Sequence, residues 1–246
     1  MDYMFEEMFR WLPVIAYPSF DRNAFARRVT EALLLGIRRF LEEGRVDIHG
    51  RRVLGKGTVG IVAKAVFAGG LQVAVKIRRV DASRETLLNE ARVLSLVNSH
   101  NIGPRLRAYS RNFLVWDYVD GMSLEEWARL SSREELEKTL RLVLEQLWIL
   151  DILGVAHNEL SRFKDHVLVR KDGVPVILDF ESASRGRSRS NIPQFLSFLL
   201  NEMSATSRLI IDKLSLNPER ERIISTLRMY KRGEAGIDEV LGILGL

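Results

Sequence analysis

The chain has 246 residues, no cysteine and a formal net charge of +5 at neutral pH. This length is enough for one large domain or for two small lobes with their own cores. The lack of cysteine excludes disulfides, zinc–thiolate centres and thiol nucleophiles, so phosphate, carboxylate and histidine chemistry remain.

The composition, with 46% hydrophobic and 28% charged residues, is typical of a globular protein. No run of about eighteen uncharged apolar residues exists, so no membrane span or membrane partner is expected. The first residues are acidic where a secretory signal is basic, and we expect a cytoplasmic protein. A basic excess also suits an acidic partner such as RNA. Because a solvated basic surface is commoner, nucleic acid is not the favoured partner.

Residues 1–44 are predicted to form a helical extension. Asp21 is a candidate N-cap and Gly44 a stop signal. The apolar residues that recur at helical spacing are Phe25, Val29, Leu33, Ile37 and Phe40.

Residues 45–120 are predicted to form a lobe with a five-stranded antiparallel sheet and one helix. The helix is expected over residues 83–97, and a turn at Ser110-Arg111-Asn112 joins the last two strands. The predicted strands cover residues 46–54, 61–67, 71–77, 106–109 and 113–118.

Residues 121–246 are predicted to form a reduced, mostly helical lobe. Two capping boxes open it, Ser123 with Glu126 and Ser132 with Glu135, and the second begins a long helix. Short strands are expected near residues 167–169 and 174–180, followed by short helices after residue 191. The fold class is therefore α+β.

A glycine-rich segment, Gly55-Lys56-Gly57-Thr58-Val59-Gly60, precedes the second predicted strand. Glycines at this spacing let backbone N–H groups approach anionic oxygens without interference from a Cβ atom. A dinucleotide-binding fold would need a helix after the glycines, whereas a strand follows here. Downstream, Lys76 lies inside an apolar strand, where burial is costly without an anionic partner, and Glu90 lies on the predicted helix.

The glycine loop, Lys76 and Glu90, in this order, resemble the protein-kinase superfamily. The resemblance implies a two-lobed protein-kinase-like fold, with Lys76 holding the phosphates of ATP and pairing with Glu90. The alternative is a glycine hairpin followed by a surface lysine and an ordinary helix glutamate. The segment 113–119 resembles the connector that contacts adenine through its backbone, although a hydrophobic strand explains it equally well. The residues that the resemblance assigns to ATP are Gly55, Lys56, Gly57, Thr58, Gly60, Val62, Ala74, Lys76, Glu90, Asp117 and Tyr118.

The second half resembles the catalytic part of a kinase, with substitutions. In His157-Asn158-Glu159, the glutamate occupies the place of the base aspartate and the asparagine replaces an arginine. In Leu178-Asp179-Phe180-Glu181, the last residue replaces the glycine of D-F-G. The resemblance makes Glu159, Lys76 and Asp179 the catalytic candidates. Asp179, at the end of a buried strand, suits a magnesium ion, and a turn aspartate is the alternative.

Asp165 and His166 compete for the second metal position. A hard Mg²⁺ ion prefers a carboxylate oxygen, which favours Asp165, whereas His166 is better aligned with the family pattern. His157 is interpreted as a hydrogen-bonding residue of the loop and is assigned no chemistry.

No A-P-E motif follows, and the segment 182–190 is short and basic. This trimming resembles the RIO kinases and the small archaeal and bacterial atypical kinases with a D-F-E segment. The resemblance implies an atypical serine/threonine kinase or ATPase that uses ATP and Mg²⁺ and transfers the γ-phosphate to a protein hydroxyl, to itself or to water. The alternatives are a phosphotransferase acting on a small-molecule hydroxyl and a nucleotide-binding pseudokinase that serves as an interaction module. The phosphoacceptor, a protein or a small molecule, is not identified by the sequence.

Overall fold

The computed structural model describes residues 2–19, 21–160, 163–186, 189–201, 203–217 and 219–246, with the backbone alone at residues 2–5, 164 and 165. The fold is mixed α+β, with an antiparallel sheet and several helices. The chain divides into two compact units, Met1–Asn98 with Pro104–Tyr118 and Ser99–Gly103 with Val119–Leu246. Within the described ranges, no helix is both long enough and apolar enough to cross a membrane.

The first unit consists of a helical N-terminal segment, a sheet and one further helix. Its helices are α1 (Asp2–Phe9), α2 (Leu12–Ile15), α3 (Arg22–Leu34) and α4 (Leu88–Asn98). Its strands are β1 (Ile37–Leu41), β2 (Val46–Ile48), β3 (Arg51–Val53), β4 (Gly55–Lys56), β5 (Gly60–Phe67), β6 (Gln72–Arg78), β7 (Leu106–Tyr109) and β8 (Phe113–Asp117).

The sheet of the first unit has the order β1-β5-β6-β8-β7, with β4 paired to β5 at one end. Every neighbouring pair is antiparallel. The central strand β6 is buried from Val73 to Ile77, and Lys76 lies opposite Val62 on one side and Leu114 on the other. The predicted hairpin formed by β7 and β8 is confirmed.

The prediction that residues 1–44 are helical is wrong for Ile37–Leu41, which form the edge strand β1. Helix α3 begins as predicted, because a side-chain oxygen of Asp21 accepts hydrogen bonds from the first N–H groups of the helix. The helix ends at Leu34, and Gly36 adopts a φ of 100°, a backbone conformation that favours glycine. A shift of register between Ile37 and Arg39 lets Ile37 and Phe40 both be buried in one strand, and this spacing imitates a helix.

The predicted strand over residues 46–54 is also wrong. This segment forms a separate hairpin, β2 with β3, outside the main sheet. His49 and Gly50 make the turn with φ values of 49° and 81°, and the side chain of Asp47 accepts a hydrogen bond from the Gly50 N–H group at 3.0 Å. Strand β1 therefore takes the place that the sequence analysis gave to residues 46–54.

The N-terminal helices are anchored to the sheet by a buried arginine. The Arg28 guanidinium on α3 donates hydrogen bonds to the carbonyl oxygens of Ile15 at 2.7 Å and Arg78 at 2.6 Å. Burial lowers the pKa of Arg28 to about 10, so it is still charged at neutral pH. The α1–α3 segment is therefore an integral part of the first unit.

The second unit is mostly helical. Its helices are α5 (Leu124–Leu130), α6 (Arg133–Ile152), α7 (Phe163–His166), α8 (Asn191–Leu199), α9 (Ala205–Leu214), α10 (Arg220–Arg232) and α11 (Ile237–Leu244). Its strands are β9 (Gly121–Ser123), β10 (Val155–Ala156), β11 (Val167–Arg170), β12 (Pro175–Ile177) and β13 (Ser184–Arg185). They form a three-stranded sheet in the order β12-β11-β9 and a β10-β13 pair. The predicted capping box of Ser132 and Glu135 is present at the start of α6.

Candidate functional site

The glycine-rich segment forms the tight turn between β4 and β5. The Gly57 N–H group donates to the carbonyl oxygen of Gly60 at 2.8 Å, which closes the turn. A Cβ atom at Gly60 would lie 2.9 Å from Cγ of Lys76 and 3.1 Å from the carbonyl oxygen of Ile77, whereas at Gly55 it would meet no atom within 4 Å. Gly60 is therefore required by packing against the predicted nucleotide lysine, and packing does not explain Gly55.

The turn is fastened to the rest of the first unit. The backbone N–H group of Arg79 donates to the carbonyl oxygen of Val59 at 2.8 Å. The Arg79 guanidinium donates to the carbonyl oxygen of Gly57 at 3.1 Å. The ammonium of Lys56 donates to the Tyr17 hydroxyl at 2.6 Å. Thr58, at the tip of the turn, is exposed. The conformation of the turn is therefore supported by residues on both sides of it.

Lys76 on β6 and Glu90 on α4 form a buried ion pair. The Nζ atom lies 2.9 Å from one carboxylate oxygen and 3.0 Å from the other, and both side chains are only 6% exposed. A buried charge is costly unless it is paired, so each partner depends on the other. Lys76 and Glu90, which were predicted to pair at the phosphates of ATP, thus lie in direct contact.

The other predicted ATP residues of the first unit lie on β5, on β6 and at the end of β8. Val62 is the neighbour of Lys76 on β5, and Ala74 is buried in β6. The side chain of Asp117 is paired with Arg107, and the Tyr118 hydroxyl donates to Glu43 at 2.7 Å. Since these two side chains are engaged within the unit, a contact of this segment with a nucleotide base would use its backbone.

In the second unit, the structure brings Glu159, His166 and Asp179 together. Each offers one ligand atom, and the three atoms lie within 4.8 Å of one another. The pairing of β11 with β12 explains this arrangement, because His166 directly precedes β11 and the Leu178 N–H group donates to the His166 carbonyl oxygen at 2.8 Å. Asp179, the next residue, is thereby placed beside His166.

Each oxygen of the Glu159 carboxylate has a close polar neighbour. One oxygen accepts a hydrogen bond from the Ser182 hydroxyl. The other lies 3.3 Å from Nε2 of His166, whose side chain is 9% exposed against 31% for Glu159. Ser182, which the sequence analysis did not single out, is therefore a contact of the predicted base.

Asp179 and Asn158 both adopt left-handed backbone conformations, with φ values of 63° and 70°. Aspartate and asparagine tolerate this conformation better than most residues, but it still costs free energy and clusters at functional sites. Asn158 contacts the segment after Asp179, because its Nδ2 atom donates to the carbonyl oxygen of Ser182 at 2.8 Å. The two strained residues thus belong to adjoining segments.

His157 is fully buried and has the structural role that the sequence indicated. Its backbone N–H group donates to Oδ1 of Asn191 at 2.9 Å, and the Nε2 atom of its ring lies 2.8 Å from the Leu178 carbonyl oxygen. Burial lowers the pKa of His157, so the ring is neutral at neutral pH.

A buried network beneath this loop was missed by the sequence analysis. Asp151 on α6 accepts hydrogen bonds from the Asn191 side chain and from the Tyr230 hydroxyl, both at 2.8 Å. Burial raises the pKa of Asp151, and burial together with this carboxylate raises that of Tyr230. The available signal was a charged residue in the buried stripe of α6, after Leu144 and Leu147.

Some predicted residues lie outside the described part of the chain. The side chain of Asp165, the alternative metal ligand, is one of them. The others are residues 161 and 162, in the loop that follows Glu159, and residues 187 and 188 of the basic segment 182–190.

Two carboxylates and one imidazole form a donor set that fits a divalent cation. Carboxylate oxygens are the ligands that Mg²⁺ prefers, and Mn²⁺ accepts carboxylates and also tolerates imidazole. Glu159, His166 and Asp179 could therefore hold either ion.

No protein-family model matches this chain. The chain is similar to a serine/threonine-protein kinase D from Synechocystis sp., with 33% identity over 97 residues. The similarity covers 37% of this chain and 19% of that kinase. This partial similarity supports a kinase-like relationship at a coarse level.

Proposed function

We propose that this chain is an ATP-dependent phosphotransferase of the protein-kinase-like fold, related to the RIO and other atypical kinases. It transfers the γ-phosphate of ATP to a hydroxyl group of another protein, to a hydroxyl group of its own chain, or to water. The observation that carries the proposal is the buried ion pair of Lys76 and Glu90 next to the glycine turn. The partial similarity to a serine/threonine kinase supports it independently.

In this proposal, the first unit binds the nucleotide. The N–H groups of the glycine turn, with Lys56 and Thr58, surround the phosphates. Glu90 fixes the Lys76 side chain so that its ammonium holds phosphate oxygens. Val62 and Ala74 contact the base from the sheet, and the backbone of Asp117 and Tyr118 completes the site.

The second unit supplies the groups for transfer. Asp179 and His166, with Asp165 as the alternative to His166, would hold a divalent cation, which would supply positive charge to neutralise the phosphate oxygens. Glu159 accepts the proton of the acceptor hydroxyl while that oxygen bonds to the γ-phosphorus and ADP departs.

The test compares two buried lysines of the same sheet. Lys64 on β5 pairs with Glu43 at 2.7 Å, and this carboxylate is 40% exposed whereas that of Glu90 is 6% exposed. The chain and the variants Lys76→Met and Lys64→Met are incubated with ATP labelled at the γ-phosphate and with Mg²⁺ or Mn²⁺. We expect Lys76→Met to abolish the transfer of label and Lys64→Met to retain it.

The double variant Lys76→Met/Glu90→Gln removes both charges together and separates lost chemistry from lost folding. It is expected to give a folded far-ultraviolet circular dichroism spectrum and no transfer. Equal transfer by the wild-type chain and by both Lys76 variants would contradict the proposal.

A second candidate is nucleotide binding without transfer, as in a pseudokinase that acts as an interaction module. The engagement of both Glu159 oxygens, by Ser182 and His166, favours it. ATP at about 100 times its dissociation constant stabilises a binding protein by about 2.7 kcal/mol. A rise in melting temperature with the ATP–cation complex, without any formation of ADP, identifies this second function.

A further inference from the structure

Ser182 is held by two consecutive residues of the loop that contains the proposed base. Its hydroxyl donates a hydrogen bond to Oε1 of Glu159. Its carbonyl oxygen accepts one from Nδ2 of Asn158 at 2.8 Å. The backbone and the hydroxyl of Ser182 are therefore both fixed with respect to Glu159.

The Ser182 hydroxyl also lies next to the candidate metal cluster. Oε2 of Glu159 is 3.3 Å from Nε2 of His166, and ligand atoms of both residues lie within 4.8 Å of one from Asp179. A general base must lie within hydrogen-bonding reach of the proton that it abstracts. Ser182 meets this requirement in the structure.

Ser184 provides a contrast two residues further along the chain. Its hydroxyl accepts a hydrogen bond from Nδ2 of Asn158 at 3.0 Å. The Ser184 hydroxyl thus contacts Asn158, whereas the Ser182 hydroxyl contacts Glu159, the proposed base.

We propose that Ser182 is an autophosphorylation site, a role that rests on the proposed phosphotransferase function and names an acceptor for it. The Ser182 oxygen bonds to the γ-phosphorus of ATP, the bond from that phosphorus to the β–γ bridging oxygen breaks, and ADP leaves. The hydroxyl proton moves to Glu159. The reaction occurs within one chain, because the acceptor is held against the base of its own chain.

Phosphorylation changes the charge at this position. Phosphoserine carries a charge of about −1.5 to −2 at neutral pH. Repulsion from the neighbouring Glu159 carboxylate displaces the modified side chain, so Glu159 becomes accessible to another acceptor hydroxyl.

The test locates the phosphate by mass spectrometry after incubation with ATP and Mg²⁺ or Mn²⁺. Trypsin releases the peptide of residues 172–185, in which Ser182 and Ser184 are the hydroxyl-bearing residues. We expect phosphate on Ser182, formed at a rate per chain that does not change over a tenfold range of protein concentration. Ser182→Ala abolishes labelling of this peptide, Ser184→Ala retains it, and Ser182→Thr restores it as phosphothreonine.

The measurement of ADP in the same reactions separates the two proposals. ADP formation that depends on Lys76, with the peptide unmodified or modified only at Ser184, overturns the role of Ser182 and leaves the phosphotransferase function standing. ADP formation that is the same in wild type and Lys76→Met overturns both. A rate per chain that rises with protein concentration overturns transfer within one chain.

Discussion

The Nε2 atom of His157 lies 2.8 Å from the carbonyl oxygen of Leu178, the residue before Asp179. A carbonyl oxygen only accepts hydrogen bonds, so Nε2 carries the proton in the neutral ring. This bond ties the loop that carries Glu159 to the strand end that carries Asp179. The position of the candidate metal ligand therefore depends on a neutral, buried histidine.

The first prediction concerns the pH dependence of stability. Burial lowers the pKa of His157 below its ordinary value of 6.5. As the pH falls below about 6.5, the unfolded chain binds a proton at this residue before the folded chain does. The free energy of unfolding therefore falls with pH in this window, by up to about 1.4 kcal/mol per pH unit for this group.

Urea unfolding at pH 7.5 and pH 5.5 measures this effect. His157→Gln keeps an amide donor for Leu178 but cannot titrate, so the loss of stability between the two pH values becomes smaller. His100→Gln, at an exposed position, is the control and keeps the wild-type difference. An unchanged difference in His157→Gln contradicts the assignment.

The second prediction concerns the energetics of the ion pair of Lys76 and Glu90. Removing one partner of a buried pair leaves an uncompensated charge and typically costs about 3–5 kcal/mol. We expect Lys76→Met to lower the free energy of unfolding by about this amount. Lys76→Met/Glu90→Leu, which removes both charges, recovers most of the loss. Chemical denaturation of Lys76→Met, of Glu90→Leu and of the double variant gives the coupling energy. Strictly additive losses of stability would show that the two charges do not interact.

The third prediction compares two glycines of the same turn. Gly60→Ala places a methyl group 2.9 Å from Cγ of Lys76, whereas Gly55→Ala places one where no atom lies within 4 Å. Overpacking typically costs about 1–3 kcal/mol. We expect Gly60→Ala to lose stability in this range and Gly55→Ala to unfold at the same urea concentration as the wild type. The reverse order of stabilities contradicts the packing argument.

Much of the fold is visible in the sequence because its signals are local. The N-cap at Asp21, the capping box of Ser132 and Glu135, and the turn between β7 and β8 each depend on residues within a few positions of one another. Strand β1 is different. Ile37 and Phe40 are both buried in this strand because its register against β5 shifts between Ile37 and Arg39. Such a shift cannot be deduced from the spacing of apolar residues.

The site shows the same division. A lysine in an apolar strand indicated that Lys76 needs an anion, and the resemblance to the protein-kinase superfamily implied that Glu90 is this anion. The contacts of Ser182 with Glu159 and of Tyr230 with Asp151 join positions that are far apart in the sequence, and side-chain identity alone gives no distance between them.

The last prediction concerns the contact of Tyr230 with Asp151. The Tyr230 hydroxyl donates to Oδ2 of Asp151 at 2.8 Å, and both residues are buried. Hydrogen bonds to charged groups typically contribute about 1.5–3 kcal/mol, and we expect Tyr230→Phe to lose a free energy of unfolding in this range at pH 7. Tyr109→Phe, at a side chain that is 50% exposed, serves as the control and loses much less.

The pH dependence of this loss distinguishes the hydrogen bond from simple packing. Burial already raises the pKa of Asp151, so the folded protein takes up a proton there at a higher pH than the unfolded chain does. Removal of the Tyr230 donor disfavours the ionised carboxylate further and raises that pKa again. The stability lost by Tyr230→Phe should therefore be larger at pH 7 than at pH 3.8, the ordinary aspartate value from which burial raises the pKa of Asp151, where protonation of Asp151 relieves the missing bond. Urea unfolding of wild type, Tyr230→Phe and Tyr109→Phe at both pH values measures this difference, and an equal loss at the two pH values would show that Tyr230 acts through its ring and not through its hydroxyl.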